Sequence, residues 1–406
     1  MNKVLNPESI PSRRFGRTEI QMPVLSVGGM RFQQSWKDLD PGEITVENQK
    51  RLEAILQRSV EFGLHHVETA RHYGSSELQL GWALKEISDP DRILQTKVPP
   101  RNDPKEFEAE LELSFQKMNC KKVDLLSIHG LNLPEHLEQT LRPGGCLEVV
   151  RRWQKADRIG HVGFSTHAPT NLIVKAIKTN QFDYVNLHWY FIRQQNTIAL
   201  EAAMKFDLGV FIISPTDKGG HLHTPSKKLI EICSPIHPIV FNDLFCLRDE
   251  RVHTISVGAS EPKDLELHLI AIGLLNKFND LLPPIENRFI EAAQSALGEA
   301  WLNTWDQGLP GWENTPGNIN IPILLWLHNL VEAWGMDGFA KARYGLLGSA
   351  GHWFPGQNAD SLDKEVSEDS LKAVLMESPW RDEIPELLRS LRNRVGGESH
   401  ERLSAT

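Results

Sequence analysis

The sequence predicts an α/β protein: a (β/α)8 TIM barrel over residues 12–275, followed by a smaller all-helical C-terminal domain over residues 276–406. Three observations predict it. Short apolar runs of strand length recur eight times in the first part of the chain, and segments of helical period separate them. After Leu275 the alternation stops, and helical patterns are joined by Pro/Gly/Asn-rich connectors such as Gly308 to Asn320. A chain of 406 residues suits that division, because single cores stop growing near ~250 to 300 residues.

Taken in order, Arg13-Arg14-Phe15, Gly16-Arg17-Thr18 and Glu19-Ile20-Gln21 read as a short hairpin around a glycine turn. The first buried strand follows at Val24 to Gly29. Asn48 to Phe62 is the first amphipathic helix, with Leu52, Ile55, Leu56 and Val60 on one face. Further strands are His65 to Glu68, Ile93 to Lys97, Val123 to His129, Ile159 to Ser165, Tyr184 to His188, Val210 to Ser214 and Thr254 to Gly258. Between the second and third of these, Pro104 to Met118 repeats the helical spacing with Phe107, Leu111, Phe115 and Met118. Strands that read as continuous apolar runs are those of a parallel sheet covered by helices on its outer face. In the helical region beyond, the tryptophans Trp301, Trp305, Trp312, Trp326, Trp334 and Trp353 suggest a small core built from large rings.

Composition narrows the function. A net charge of -9 and a sequence pI near 6.0 provide no basic footprint for nucleic acid or an anionic membrane, so a small-molecule partner is expected. No apolar run approaches the ~18 residues that span a bilayer, and Met1 to Ile10 lacks a signal-peptide core, so a cytoplasmic location is expected. Cys120, Cys146, Cys233 and Cys246 have no C-x-x-C spacing, which points away from a disulfide framework or a zinc or iron–sulfur site.

In such a barrel the chemistry sits at the C-terminal ends of the strands. Glu68, Lys97 and His129 end successive strands, and Tyr73, one of four tyrosines, stands in the polar turn after Glu68. A phenol with a pKa near ~10 is a poor acid at neutral pH, but a neighbouring ammonium stabilises phenolate. Lys97 would tune Tyr73, Glu68 would keep the buried ammonium charged, and His129 would orient a substrate oxygen. Such a set suits carbonyl reduction once a hydride donor is bound.

The string Val67-Glu68-Thr69-Ala70-Arg71-His72-Tyr73-Gly74-Ser75-Ser76-Glu77 resembles the D-T-A-x-x-Y-G-x-S-E signature of the aldo-keto reductases, NAD(P)H-dependent enzymes built on a (β/α)8 barrel. The resemblance covers roughly residues 12–275 and implies Tyr73 as general acid, Lys97 as its modulator and His129 as the carbonyl-orienting residue. Glu68 stands where the family usually carries aspartate, so its extra methylene would have to re-aim the Lys97 contact or shift the strand. Gly163-Phe164-Ser165-Thr166 resembles the family's G-[VF]-S-N turn, which implies Ser165 and Thr166 at the nicotinamide amide. Asn186 falls where a glutamine does the same work. Ile213-Ser214-Pro215 resembles the segment that packs on the nicotinamide ring, and Lys218-Gly219-Gly220 the pyrophosphate-facing loop. Gly258-Ala259-Ser260-Glu261-Pro262-Lys263-Asp264 resembles the loop that grips the adenosine end. Asp264 replaces an arginine common in NADPH-preferring members and would repel a 2′-phosphate, which favours NADH over NADPH.

Some members carry a ferredoxin-like helical extension with two [4Fe–4S] clusters, and Thr315-Pro316-Gly317-Asn318-Ile319-Asn320-Ile321-Pro322 resembles its C-P-x-G-[VI]-x-I-P segment. Counting back places Asp306, Leu309, Trp312 and Thr315 at the cysteine positions of the first run, with His352, Pro355, Asn358 and Leu362 in the second. None is a thiolate ligand, so no iron–sulfur cluster is expected and the module is read as structural, or as a surface for a protein partner or self-association. The resulting expectation is an NAD(P)H-dependent reductase of an aldehyde or ketone. The alternative is a nucleotide-binding regulatory or docking protein with slow or vestigial turnover.

Overall fold

The computed structural model describes residues 10–349 and 354–397. These fall into two compact units. One runs through Gly219 and resumes over Ile239–Phe278; the other takes Gly220–Pro238 together with the chain from Asn279 onward.

In the first unit β1 (Ser12–Arg14) and β2 (Gln21–Pro23) form an antiparallel hairpin. The next eight strands are β3 (Leu25–Gly28), β4 (His66–Glu68), β5 (Ile93–Val98), β6 (Val123–Ile128), β7 (Ile159–Ser165), β8 (Tyr184–Leu187), β9 (Gly209–Ile212) and β10 (Thr254–Gly258). They pair in parallel in chain order, and β10 joins both β9 and β3 to close the barrel. All six residues of β5 are buried, as expected of a strand with a filled barrel on one side and helices on the other.

The helix Pro104–Met118 shows how the outer layer is specified. Asp103 accepts from the Lys105 amide as N-cap and proline sits in the first turn, where its missing N–H is no loss. Phe107, Leu111, Phe115 and Met118 make the buried stripe, each contributing roughly 1.5–3 kcal/mol by removal from water. Asn119, in the left-handed region at φ 48°, ends it. A charge at Leu111 would break that face.

The hairpin closes the N-terminal end of the barrel. Phe15 is fully buried among Met22, Ile93, Leu125, Tyr184 and Phe211. A Cβ on Gly209 would lie 2.6 Å from the Phe15 ring, so only glycine admits that plug at the start of β9.

Above the plug a polar chain crosses the interior. Thr254 Oγ1 lies 2.7 Å from Ser26 Oγ, which lies 2.6 Å from His66 Nδ1; His66 Nε2 lies 3.0 Å from Gln95 Oε1. Gln95 Nε2 then donates to Ser127 Oγ at 3.0 Å, and Ser127 Oγ to the Tyr184 hydroxyl at 3.1 Å. Burial, together with the Lys97 charge, pushes the His66 imidazolium down to about 3, so His66 is neutral at physiological pH. The other five then align as one donor sequence from Thr254 to Tyr184.

The second unit is helical. Its helices include Lys227–Cys233, Glu299–Thr304, Ile321–Trp334, Asp337–Leu346, Glu368–Val374 and Ile384–Val395. Trp301 meets Trp380 at 5.2 Å and donates to Asn329 Oδ1 at 2.7 Å. Trp334 packs on Phe289 at 5.1 Å and donates to its carbonyl. Of the tryptophans singled out from the sequence, Trp301 is buried while Trp305, Trp312, Trp326 and Trp334 are only half-buried, so the core of this unit is built mainly from aliphatic side chains such as Leu324, Leu325, Leu327 and Leu388, with the rings at its margin where an indole N–H can reach an acceptor.

The positions that resemble cluster ligands are occupied by self-contained turns. The Thr315 hydroxyl lies 2.8 and 2.7 Å from the carbonyls of Trp312 and Ile319, and Asn320 caps Ile323 while donating to Pro355. Asn358 caps Asp360, Leu362 is buried and Asp306 is exposed; His352 and Trp353 lie outside the described residues. All four cysteines are unpaired thiols. No single helix among the described residues is long and apolar enough to cross a membrane.

Candidate active site

Glu68 is the last residue of β4 and Lys97 the fifth of β5, so the parallel register puts both near the C-terminal rim. Both are buried. The Lys97 ammonium has three protons and three partners: the Glu68 carboxylate, the Thr69 carbonyl at 3.0 Å and the Tyr73 hydroxyl at 3.4 Å. It also stands 4.8 Å from the centre of the Tyr73 ring. Burial pushes Lys97 down to about 7, and the Glu68 charge in contact with it opposes that loss.

The extra methylene of Glu68 is accommodated by its neighbour across the sheet. A Cβ on Gly28 would lie 3.1 Å from Glu68 Oε1 and 2.6 Å from Ser256 Oγ. With no side chain there, Glu68 Oε1 accepts from Ser256 at 3.2 Å while Oε2 takes Lys97. The longer acid therefore reaches Lys97 without displacing β4, whose register with β3 and β5 is regular.

Tyr73 lies in the turn after β4, tied by Tyr73 N to Ala70 O at 3.0 Å. Gly74 follows at φ 56°, and a Cβ there would lie 2.0 Å from Ser35 O. Glycine thus lets the loop after β3 close over Tyr73 and bring Trp36 edge-on to its ring at 6.3 Å and 87°. From the other side His129, whose amide is held by Val98 O at 2.8 Å, meets the ring at 5.7 Å and 86°. The structure brings Tyr73, Lys97, Glu68 and His129 together. Trp36 was not among the residues singled out from the sequence; its one signal is a large aromatic inside a polar loop.

A second group lies on β7 and β8, where Ser165 and Asn186 are direct register partners. Ser165 Oγ accepts from Gly130 N at 3.1 Å, which leaves its proton to donate. Asn186 is fully buried, yet neither its side-chain oxygen nor its nitrogen has a hydrogen-bond partner. An orphaned buried amide is expensive unless a ligand completes it, and one donor with one acceptor complements a carboxamide. The residues present therefore fit a nicotinamide at this place. The Thr166 hydroxyl donates to Leu131 O at 2.7 Å and accepts from Ala168 N at 3.0 Å, so its proton holds the neighbouring loop.

The remaining positions occupy the ends of β9 and β10. Ser214 stands beyond the end of β9 at φ 55°, and Ser214 O takes the Lys218 amide at 3.0 Å in a single turn. Lys218 Nζ faces His167 and His188. Gly258 ends β10 beneath the Arg31 side chain, and Asp264 Oδ2 accepts from the amides of Ser260 at 2.8 Å and Glu261 at 3.1 Å. That carboxylate stabilises the loop it sits in. Sequence reasoning did not single out His167, His188 or Tyr190, which the structure brings into contact just beyond the ends of β7 and β8.

Residues 24–266 match the family model described as the aldo/keto reductase family. Among solved structures, aldo-keto reductase AKR11C1 from Bacillus halodurans, in its holo form, superposes with a TM-score of 0.54 at 15% identity over 68% of this chain and 97% of that one. The thermostable aldo-keto reductase Tm1743, in complex with the inhibitor epalrestat, superposes with a TM-score of 0.54 at 20% identity over 66% and 99%. At such identities the likeness is one of fold. No curated protein matches this chain.

Proposed function

The chain belongs to the aldo/keto reductase family, and from that premise we propose that this oxidoreductase reduces an aldehyde or ketone to the alcohol, with Tyr73 as general acid. The observation that carries the reading is the Lys97 ammonium, divided among Glu68, Thr69 O and the Tyr73 hydroxyl. Because Lys97 donates to the phenol oxygen, that oxygen is an acceptor on its Lys97 side and its own proton is directed elsewhere. A substrate carbonyl would receive it. The adjacent positive charge stabilises the phenolate left behind, and Glu68 keeps Lys97 charged inside the protein. His129 would bind the same carbonyl oxygen and orient it. Trp36 and His129 flank Tyr73 and limit water around the transferred proton.

A nicotinamide dinucleotide would supply the hydride when bound. Ser165 and Asn186 would hold its carboxamide, and the loops carrying Ser214, Lys218, Gly258, Ser260 and Asp264 its remaining length. The carboxylate of Asp264 argues for NADH over NADPH. A docking protein without turnover has no use for a buried lysine aimed at a phenol, which favours the enzyme.

Fluorescence titration of NADH and NADPH, followed by assay of a panel of aldehydes and ketones with wild type and Tyr73→Phe, tests the reading. Tight dinucleotide binding and loss of turnover in Tyr73→Phe are expected. Equal rates in the two proteins would sink the tyrosine mechanism.

A further inference from the structure

Four charged side chains of alternating sign form a row beside Tyr73. The Arg71 guanidinium, two residues before Tyr73, is buried and pairs with Glu77 through Nη1 and with Asp38 through Nη2. Asp38 Oδ1 also takes Lys117 Nζ, at 2.6 Å. Lys117 lies in the last turn of the helix Pro104–Met118, and Asp38 in the loop that follows β3.

The two ends of the row are in different surroundings. Glu77 is fully buried, and its Oε1 accepts from Thr96 Oγ1 at 2.7 Å, next to Lys97. The Arg71 amide donates to Lys97 O at 2.9 Å, so this inner pair is built into the floor of the site. Burial pushes the Glu77 carboxyl up and the Arg71 charge opposes it. One guanidinium already neutralises one carboxylate there, so the buried pair does not require a second acid. Asp38 is the outer end, with 41% of its side chain exposed. What its two ion pairs fix is the loop that carries it.

Trp36 sits in that loop between two anchors. Before it, Ser35 N donates to Ser75 Oγ at 3.2 Å and Ser35 O accepts from Ser75 N at 3.1 Å. After it, Asp38 reaches Arg71 and Lys117. Held on both sides, the indole stands edge-on to the Tyr73 ring at 6.3 Å, while the phenol oxygen lies 3.4 Å from Lys97 Nζ.

We propose that Asp38 is a positioning residue for the reaction: bound to Arg71 and Lys117, it keeps Trp36 against Tyr73 and so keeps the phenol within reach of Lys97. The role rests on the reductase reading, since it acts through the proton donor assigned there. Removing Arg71 or Glu77 would leave a buried charge unpaired and threaten the fold, so the exposed end is the place to test it.

In the full chain, Asp38→Ala is expected to lower kcat about fivefold with the NADH dissociation constant within about twofold of wild type, and Asp38→Glu to restore most of the loss. In a Trp36→Ala background the same Asp38→Ala change should cost less than about twofold, because the ring it positions is gone. Hydrogen exchange read by mass spectrometry should be faster over residues 30–45 in Asp38→Ala. A kcat equal to wild type in Asp38→Ala would overturn the proposal, as would an undiminished loss in the Trp36→Ala background. If wild type reduces no carbonyl while exchange in the loop still quickens in Asp38→Ala, the reductase reading fails and the attachment of the loop by Asp38 stands.

Discussion

Two polar layers lie inside the same barrel, two residues apart on the same strands, and they behave differently. The lower one, from Thr254 through Ser26, His66, Gln95 and Ser127 to Tyr184, leaves none of its side-chain polar atoms without a partner. In the rim layer above, Lys97 spends its protons on Glu68, Thr69 O and Tyr73, while the Asn186 amide is buried with both ends unmatched. Both layers are polar, buried and titratable. What separates a structural network from a site is hydrogen-bonding capacity left over for something that arrives later.

That contrast can be broken at Tyr73. Tyr73→Phe keeps the ring between Trp36 and His129 and removes only the transferable proton, so kcat is expected to fall about a hundredfold or more with the fold intact. Steady-state kinetics beside circular dichroism would check it. Glu68→Gln removes the carboxylate that opposes the desolvation of Lys97, whose proton is held to about 7 in the native protein. Both the ammonium and the phenol must be protonated for turnover, so activity should decline as pH rises. In the variant that decline should move roughly one to three pH units lower. A pH profile unchanged from wild type would show that the pair does not tune the acid.

The lower layer should respond in stability. His66→Leu strands Ser26 and Gln95 and should lower unfolding free energy by about 3 kcal/mol, measured by urea titration. The sign with pH also follows. Native His66 protonates near about 3 and the unfolded chain near ~6.5, so the unfolded state binds the extra proton between those values. Wild-type stability must fall as pH drops through that window, and the slope in His66→Leu should be smaller by up to one proton. The smallest effect sharpens the comparison most. Asn186→Leu replaces an unsatisfied buried amide, so the ligand-free protein should gain about 1 kcal/mol while dinucleotide affinity falls about tenfold. A loss of stability there would mean that the amide is structural.

Much of the barrel was legible from the sequence. The eight strands fall where largely apolar runs of strand length occur, because both faces of each strand are covered, and the polar residues that interrupt them, such as His66, Gln95 and Lys97, are paired inside the barrel. Pro104–Met118 carries its own cap, proline and buried stripe, so its bounds could be read directly. The rim residues were legible through the Glu68-to-Glu77 string and the strand ends at Lys97 and His129. Others were not. Trp36 depends on the loop closing over Gly74, and the departure at Glu68 could not be judged until Gly28 was seen to make room across the sheet. Nothing in the spacing of His167, His188 and Tyr190 predicts that they share protons. The segment Gly220–Pro238 groups with the helical unit through bonds such as Arg288 to Ile232 O, which join residues far apart in the chain.

The sequence by itself therefore determined the fold class, the order of strands and the placing of Tyr73, Lys97 and His129 at the ends of successive strands, because periodicity and residue type act locally. Tertiary structure alone decided which polar groups are satisfied. Whether Asn186 is orphaned, where Lys97 sends its three protons and what faces Lys218 depend on distances between strands. Hydrogen bonding is short-ranged and directional, so it is settled only when the barrel closes.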